Sequence, residues 1–405
     1  MASWKKKTAI AGAVLGGVAA GVATGVAVPK YLARRAKAAP DDPYAGEPFE
    51  MPPTDMIRSV KNRDGTSVHV ETIGKEDAPV TVVFLHGYIQ NSSTYYFQRQ
   101  ALARELADGL AVQGVFYDQP GHGLSGALPR IEYGIGDLAA TLADVIEALA
   151  PAGRLVLVGH SMGGMAVQQF SADFPELWER VDGAVLLCTS ASPLAGVDTK
   201  PMRTVQRVRR TVLPMMQRVS QWTPQLVERA RRLVGDSVWL ISRKQAFAEP
   251  HPSPSLVTLI ERMNRETPIQ TVVGYVRAIL EFDGRSRLAA FKDRDVLVAA
   301  GDQDALTPLD RSKEIARALP DAQVAVVSAR HNPQLERPWE ISQKLLEIIY
   351  KSVEGDGESE PPAPEDLKRS HRRWWSPFAT HRRRSPRRAE QTTEVKNSEA
   401  DNDDS

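Results

Sequence analysis

Leu155-Val156-Leu157-Val158-Gly159-His160-Ser161-Met162-Gly163-Gly164 is the stretch whose reading decides the fold. The apolar run is too short for a buried helix and is bounded by glycine, so it reads as a central strand. From Met162 to Phe174 the apolar residues return at helical spacing. Ser161 therefore sits on the turn between a strand and a helix. Gly159 and Gly163 flank it, because a side chain at either place would collide with a neighbouring strand or helix in so sharp a turn. Such an elbow pushes the serine oxygen out of the sheet. It also places the backbone N–H of Met162 at a helix N-terminus, where negative charge is favoured. The pattern Gly-x-Ser-x-Gly also arises by chance, so the rest of the chain has to decide.

Upstream, Arg58 to Arg63 and Ser67 to Ile73 read as a hairpin turning at Asp64-Gly65. Val80 to Leu85 is a near-continuous apolar run, the mark of a strand covered on both faces, and it ends in His86-Gly87-Tyr88. A helix from about Thr94 to Ala107 follows, then a strand from Gly114 to Tyr117 and the loop Asp118-Gln119-Pro120-Gly121-His122-Gly123. A helix from about Gly136 to Ala150 leads into the elbow strand. Val181 to Leu187, Arg294 to Ala300 and Gln323 to Val327 complete the strands. This alternation predicts an α/β fold, a doubly wound, mostly parallel eight-stranded sheet. Reactive groups in such a sheet collect at the carboxyl ends of the strands.

A serine is weakly nucleophilic until a base takes its proton, and the base needs a carboxylate to hold its tautomer. Downstream of Ser161 the histidines are 251, 331, 371 and 381. The last two lie in a basic tail and His251 in a proline-rich stretch, whereas His331 directly follows the last strand. Gly301-Asp302-Gln303-Asp304 follows the penultimate strand and offers two carboxylates, and Asp283 before Gly284 is a third. Thr307-Pro308 opens the next helix, with Thr as its cap and Pro in its first turn. Cys188 ends an apolar run and reads as a packed residue. As the single cysteine it excludes an intrachain disulfide framework.

In the order of these motifs the chain resembles the α/β-hydrolase fold superfamily, in its serine esterase and lipase branch, over roughly residues 56 to 350 without the cap. The order nucleophile, acid, histidine is that of the superfamily. The resemblance implies Ser161 as nucleophile, His331 as base and Asp304 as acid, with Asp302 left to cap the turn. It implies an oxyanion hole from the backbone amides of Tyr88 and Met162, and a structural loop at Asp118 and His122. His160 reads as packing. Ala329-Arg330-His331 departs from relatives that carry glycine before the histidine, and Arg330 is expected to point to solvent. Serine at the elbow excludes the epoxide hydrolases and dehalogenases of this fold, which use aspartate there. A serine mechanism needs no cofactor, and no metal-ligand cluster is visible.

Composition is ordinary for a globular protein of 405 residues, with 42% apolar and 25% charged residues and a net charge of +1. The ends are not ordinary. Thr8 to Val28 carries no charge and, at about 1.5 Å per residue, just spans a hydrocarbon core of about 30 Å. It reads as an uncleaved single-pass transmembrane helix rather than a signal peptide. Basic residues flank both of its ends, so the positive-inside rule sets no orientation. The expected organisation is an anchor at 1–37, a Pro-rich acidic linker at 38–55, hydrolase core at 56–191 and 288–352, an inserted helical cap at 192–287 and a disordered charged tail at 353–405. Cap helices are expected near Thr204 to Gln217, Pro224 to Leu233 and Leu256 to Arg265. Lys200 to Lys244 is basic and amphipathic, either a solvated face or one suited to anionic lipid. The tail sets Trp374, Trp375 and Phe378 among arginines. Beside an anchor this suits a membrane surface, and no nucleic-acid partner is expected. The expectation is a membrane-held serine hydrolase acting on carboxylic esters, with acyl lipids as the expected substrates. The competing readings are an acyltransferase, a haloperoxidase-like or perhydrolase enzyme with the same triad, and a non-catalytic lipid-binding scaffold.

Overall fold

The computed structural model describes residues 31–354, apart from 37, 39–41, 131, 200–201, 204–239, 241 and 244–245. The apolar stretch Thr8 to Val28, the charged tail, the first two expected cap helices and nearly all of the basic stretch lie outside the described residues. Among the described residues, no helix is long and apolar enough to cross a membrane.

The strands are β1 (Met56–Lys61), β2 (Ser67–Gly74), β3 (Val80–Leu85), β4 (Val112–Tyr117), β5 (Arg154–His160), β6 (Val181–Leu187), β7 (Asp295–Gly301) and β8 (Gln323–Val327). They form one eight-stranded sheet in the order β1-β2-β4-β3-β5-β6-β7-β8. β2 runs antiparallel to both of its neighbours, and every pair from β4 to β8 is parallel. The hairpin turns where expected: Gly65 has φ +75°, and Asn62 Oδ1 accepts the N–H groups of Asp64 and Thr66 at 3.1 and 2.8 Å.

The inner strands β3, β5, β6 and β7 are mostly apolar because both of their faces are covered, whereas β1 and β8 at the edges are partly exposed. Leu155 and Leu157 face one apolar layer, with helices α2 (Ile135–Leu149) and α3 (Met162–Asp173). Val156 and Val158 face the other, with α1 (Tyr96–Ala107) and the long C-terminal helix Pro338–Glu354. β3 and β5 are neighbours, yet the chain leaves β3 for β4 on one side and continues from β5 to β6 on the other. That is the topological switch point, where connections part and open a crevice beyond the strand ends. The loop after β3 and the elbow after β5 both border it.

Two stretches differ from expectation. Residues 42–53, expected within a linker, are held to the body. Phe49 is buried against Tyr96 and Phe97, and Tyr44 stacks at a tilt on Phe97. Asp42 accepts from the N–H and hydroxyl of Ser255 at 3.0 and 2.6 Å. Proline and acidic content suggested a free segment, but these rings supply apolar area that packing buries. The cap also holds more helix than expected. The helix expected at Leu256 to Arg265 is α4 (Pro254–Glu266), begun by Ser253, whose hydroxyl accepts the Leu256 N–H at 3.3 Å. A second helix, α5 (Ile269–Glu281), follows and buries Ile269, Val273, Val276 and Leu280 on one face. Pro268, which disguised its start, stands before its first residue, where proline is harmless.

Candidate active site

β5 delivers Ser161 to the crevice in a left-handed conformation, φ +52° and ψ −113°, which a non-glycine residue holds only when its surroundings dictate it. They do so here through main-chain bonds. The Ser161 N–H donates to Leu187 O at 2.9 Å, and the Thr189 hydroxyl donates to Ser161 O at 2.7 Å. The flanking glycines are sterically required. A Cβ on Gly163 would stand 2.2 Å from Leu85 O, and one on Gly159 would stand 2.6 Å from the Gly164 backbone. Neighbouring strand and helix set these limits, as the motif implied.

The structure brings three sequence-selected side chains into one chain of hydrogen bonds. Ser161 Oγ lies 3.0 Å from His331 Nε2, and His331 Nδ1 lies 2.7 Å from Asp304 Oδ2. Asp304 is buried. Burial alone would raise its carboxyl, but the charge and hydrogen bond of His331, with donors from Thr307 and Leu306, outweigh it and hold the group below the usual carboxylate range. An ionised carboxylate on Nδ1 fixes the proton there and leaves Nε2 as an acceptor for the serine proton.

The other acids do not reach this point. Asp302 is exposed, and Asp283 pairs with Arg285 on the surface. Nor does Asp302 cap the turn as expected: Asp304 Oδ1 does, accepting from the N–H groups of Leu306 and Thr307 at 2.8 and 3.1 Å. Thr307 likewise is no helix cap. Its hydroxyl turns inward, 2.7 Å from Asp304 Oδ2 and 2.8 Å from Cys188 O, and the helix Leu309–Ala318 begins behind Pro308. His251 is exposed in the cap, while His371 and His381 lie outside the described residues.

Met162 is the first residue of α3, so its N–H has no acceptor within the helix. Tyr88 stands on the loop after β3, and its hydroxyl donates to the carbonyl of Val272 in α5. That loop is braced by neutral histidines. Burial pushes His86 down to about 4 and His122 to about 3, so each ring keeps an acceptor nitrogen. His86 Nε2 accepts the Gln119 N–H at 2.8 Å, and His122 Nε2 accepts the Ile89 N–H at 3.3 Å. Asp118 accepts the N–H groups of Ser92 and Leu124, both at 2.8 Å. Asp118 and His122 thus hold backbone.

Three ties on the His331 loop were not legible beforehand. His160 Nε2 lies 2.7 Å from His331 O, Gln90 Nε2 donates to Asn332 Oδ1 at 2.7 Å, and Glu336 Oε1 accepts the Arg330 N–H at 2.7 Å. No local pattern marks Gln90 or Glu336, since their partners are remote or on the backbone. Cys188 is buried as expected, but beside the site. Its thiol, Asp304 and His331 bring possible metal-ligand atoms within 4.8 Å of one another, although Asp304 and His331 already engage each other. Burial pushes that thiol well up, which keeps it protonated.

A seryl oxygen beside a carboxylate-held imidazole, under a helix N-terminus, is an arrangement able to add to a carbonyl and stabilise the resulting oxyanion. The profile of the alpha/beta hydrolase fold family matches residues 80–338. The chain is 27% identical over 284 residues to the pimeloyl-[acyl-carrier protein] methyl ester esterase of Chromobacterium violaceum, covering 70% of this chain and 98% of that protein. It is 34% identical over 128 residues to a putative non-heme haloperoxidase of Mycobacterium phage D29, covering 32% of this chain and 41% of that protein. A thermophilic esterase from Thermogutta terrifontis superposes with a TM-score of 0.58 at 22% identity, covering 74% of this chain and 99% of that one, and shares the fold. With the profile spanning most of the chain, from β3 past the histidine loop, the protein belongs to the alpha/beta hydrolase fold family.

Proposed function

We propose that the protein is a serine hydrolase that cleaves carboxylic esters through an acyl-enzyme on Ser161. The observation that carries this reading is the unbroken relay from Ser161 Oγ through His331 to buried Asp304, at 3.0 and 2.7 Å. His331 Nε2 takes the serine proton as Oγ attacks the ester carbonyl. The backbone N–H groups of Met162 and Tyr88 receive the oxyanion, each such donor being worth about 3 kcal/mol of barrier. His331 then returns the proton to the leaving alcohol, and water, deprotonated by the same imidazole, releases the acid. No metal or cofactor enters these steps.

Acyl lipids are the proposed substrate class, and the membrane the proposed location, held by the N-terminal segment. The supports are the uncharged stretch Thr8 to Val28 and the basic, amphipathic stretch Lys200 to Lys244. The Chromobacterium relative is named for an ester of an acyl chain, which points the same way. A second reading, acyl transfer to hydrogen peroxide in place of water, draws on the haloperoxidase-named relative and would use the same residues.

Fluorophosphonate labelling together with nitrophenyl esters of increasing chain length tests the first reading. Wild type should label and turn over, and Ser161→Ala should do neither. Turnover that survives in Ser161→Ala, or an inert wild type, would reject it, the latter in favour of a lipid-binding scaffold.

A further inference from the structure

The loop of His331 is tied to the cap by one carboxylate. Glu336 ends the short helix Pro333–Glu336, just after the histidine. Its Oε1 accepts the N–H of Arg330, the residue before His331, at 2.7 Å. Its Oε2 accepts the N–H of Ala248, in the cap segment that leads into α4, at 2.5 Å. Two backbone segments far apart in sequence thus share one side chain. The next residue on each side pairs as well, Arg337 with Glu249 at 2.9 Å.

Packing follows the same line. Leu335, beside Glu336, is fully buried in a cluster with Phe247, beside Ala248, together with Tyr96, Phe97 and residues of α4. A helix as short as Pro333–Glu336 has no stability of its own, so its position is set by what its side chains grip. Glu336, at its C-terminal end, makes both grips: one carboxylate oxygen holds Arg330 and hence His331, and the other holds the cap.

We propose that Glu336 is a positioning residue that couples the cap segment at Phe247 and Ala248 to the loop of His331, so that the base is aligned only when that segment is docked. This rests on the reading of His331 as the general base. A slip of the Arg330 backbone carries the imbidazole with it, and the relay to Ser161 tolerates little displacement. Burial pushes the Glu336 carboxyl up to about 7, against the lowering pull of the Ala248 and Arg330 N–H groups and the nearby charges of Arg337 and Arg330. Of the remaining ionisable groups nearby, the thiol of Cys188 feels the Glu336 charge, and Glu249 is paired with Arg337. A carboxyl kept in so costly a place, between two backbone donors, is what a tie of this kind requires.

Hydrogen–deuterium exchange on the full chain separates this coupling from a merely local role. In Glu336→Gln, which keeps the shape but turns an N–H₂ toward one of the two donors, peptides covering 246–253 and 328–332 should lose protection together. In the same variant kcat on a nitrophenyl ester should fall between about 10- and 100-fold, with KM changed by less than about twofold. Glu249→Ala, which removes only the surface pair, should leave kcat near wild type. If 246–253 keeps its protection while 328–332 loses it, or if kcat does not move, the coupling is wrong. The exchange arm does not depend on ester chemistry, so a failure of the esterase reading leaves it able to decide.

Discussion

His160 Nε2 stands 2.7 Å from the carbonyl oxygen of His331, so the residue before Ser161 braces the backbone of His331. His160 is fully enclosed, and burial, reinforced by the neighbouring His331, drives its imidazole down to about 3. The ring is therefore neutral and has a single N–H to give. Spent on that carbonyl, it leaves Nδ1 unprotonated 3.0 Å from Gln90 Oε1, a contact between two acceptors and not a second hydrogen bond.

Replacing this ring with an apolar one should loosen the base while leaving Ser161 itself untouched. His160→Phe strands a buried carbonyl, a loss of about 1–3 kcal/mol. Slower fluorophosphonate labelling and a kcat lowered by about fivefold or more are expected where that loss is felt at the relay, since about 1.4 kcal/mol corresponds to a factor of ten. An unchanged labelling rate would return His160 to plain packing.

The two aspartates of the β7 loop should behave oppositely. Asp304→Asn would put an amide against His331 Nδ1 at 2.7 Å and favour the wrong tautomer, a change worth about 10⁴ in kcat in a serine relay of this kind. Asp302 is exposed, so Asp302→Asn should leave kcat near wild type. Steady-state kinetics of the two variants decide the matter, and the reverse ranking would exclude Asp304 as the acid.

At the elbow, Gly163→Ala should destabilise the fold as well as the site. Its Cβ would meet Leu85 O at 2.2 Å and Leu85 C at 2.7 Å, both backbone atoms of the central sheet that cannot turn aside. A cost of about 3 kcal/mol is expected, seen as a melting temperature lower by several degrees. Gly46→Ala meets nothing within 4 Å and serves as the control. Equal melting of the two variants would refute the packing argument.

Stability should depend on pH through Glu336 with a definite sign. Its carboxyl is raised from 4.5 to about 7 in the folded state, so between those values the native protein binds more protons than the unfolded chain. The stabilisation is complete below pH 4.5 and is lost as pH rises through about 7, up to about 3 kcal/mol in all. Thermal melts of wild type and Glu336→Gln from pH 4.5 to 8 should therefore diverge, the wild type losing more as pH rises. Parallel curves would show that burial does not raise this carboxyl.

Local chemistry explains what was legible in the sequence. A near-continuous apolar run marked β3 and an apolar run ending in glycine marked β5, because a strand covered on both faces cannot be disguised. Gly159-His160-Ser161-Met162-Gly163 marked the elbow, because only glycine fits against the adjoining backbone. His331 stood out because it alone among the later histidines follows a strand end. The hairpin at Asp64-Gly65 declared itself by turn chemistry.

What tertiary structure decided is a matter of direction and distance. Asp302 and Asp304 share a loop and a chemistry, and their choice depends on which carboxylate the turn aims inward. Thr307 has the credentials of a helix cap, yet its hydroxyl serves Asp304. Tyr44 and Phe49 dock a stretch whose composition suggested a linker, because burying their rings against Tyr96 and Phe97 outweighs the freedom of a short segment. Glu336 and Gln90 hold the histidine loop from positions that no pattern distinguishes, because their partners come from other parts of the chain. Periodicity reports which face of an element is buried; which buried groups meet is settled only when the elements pack.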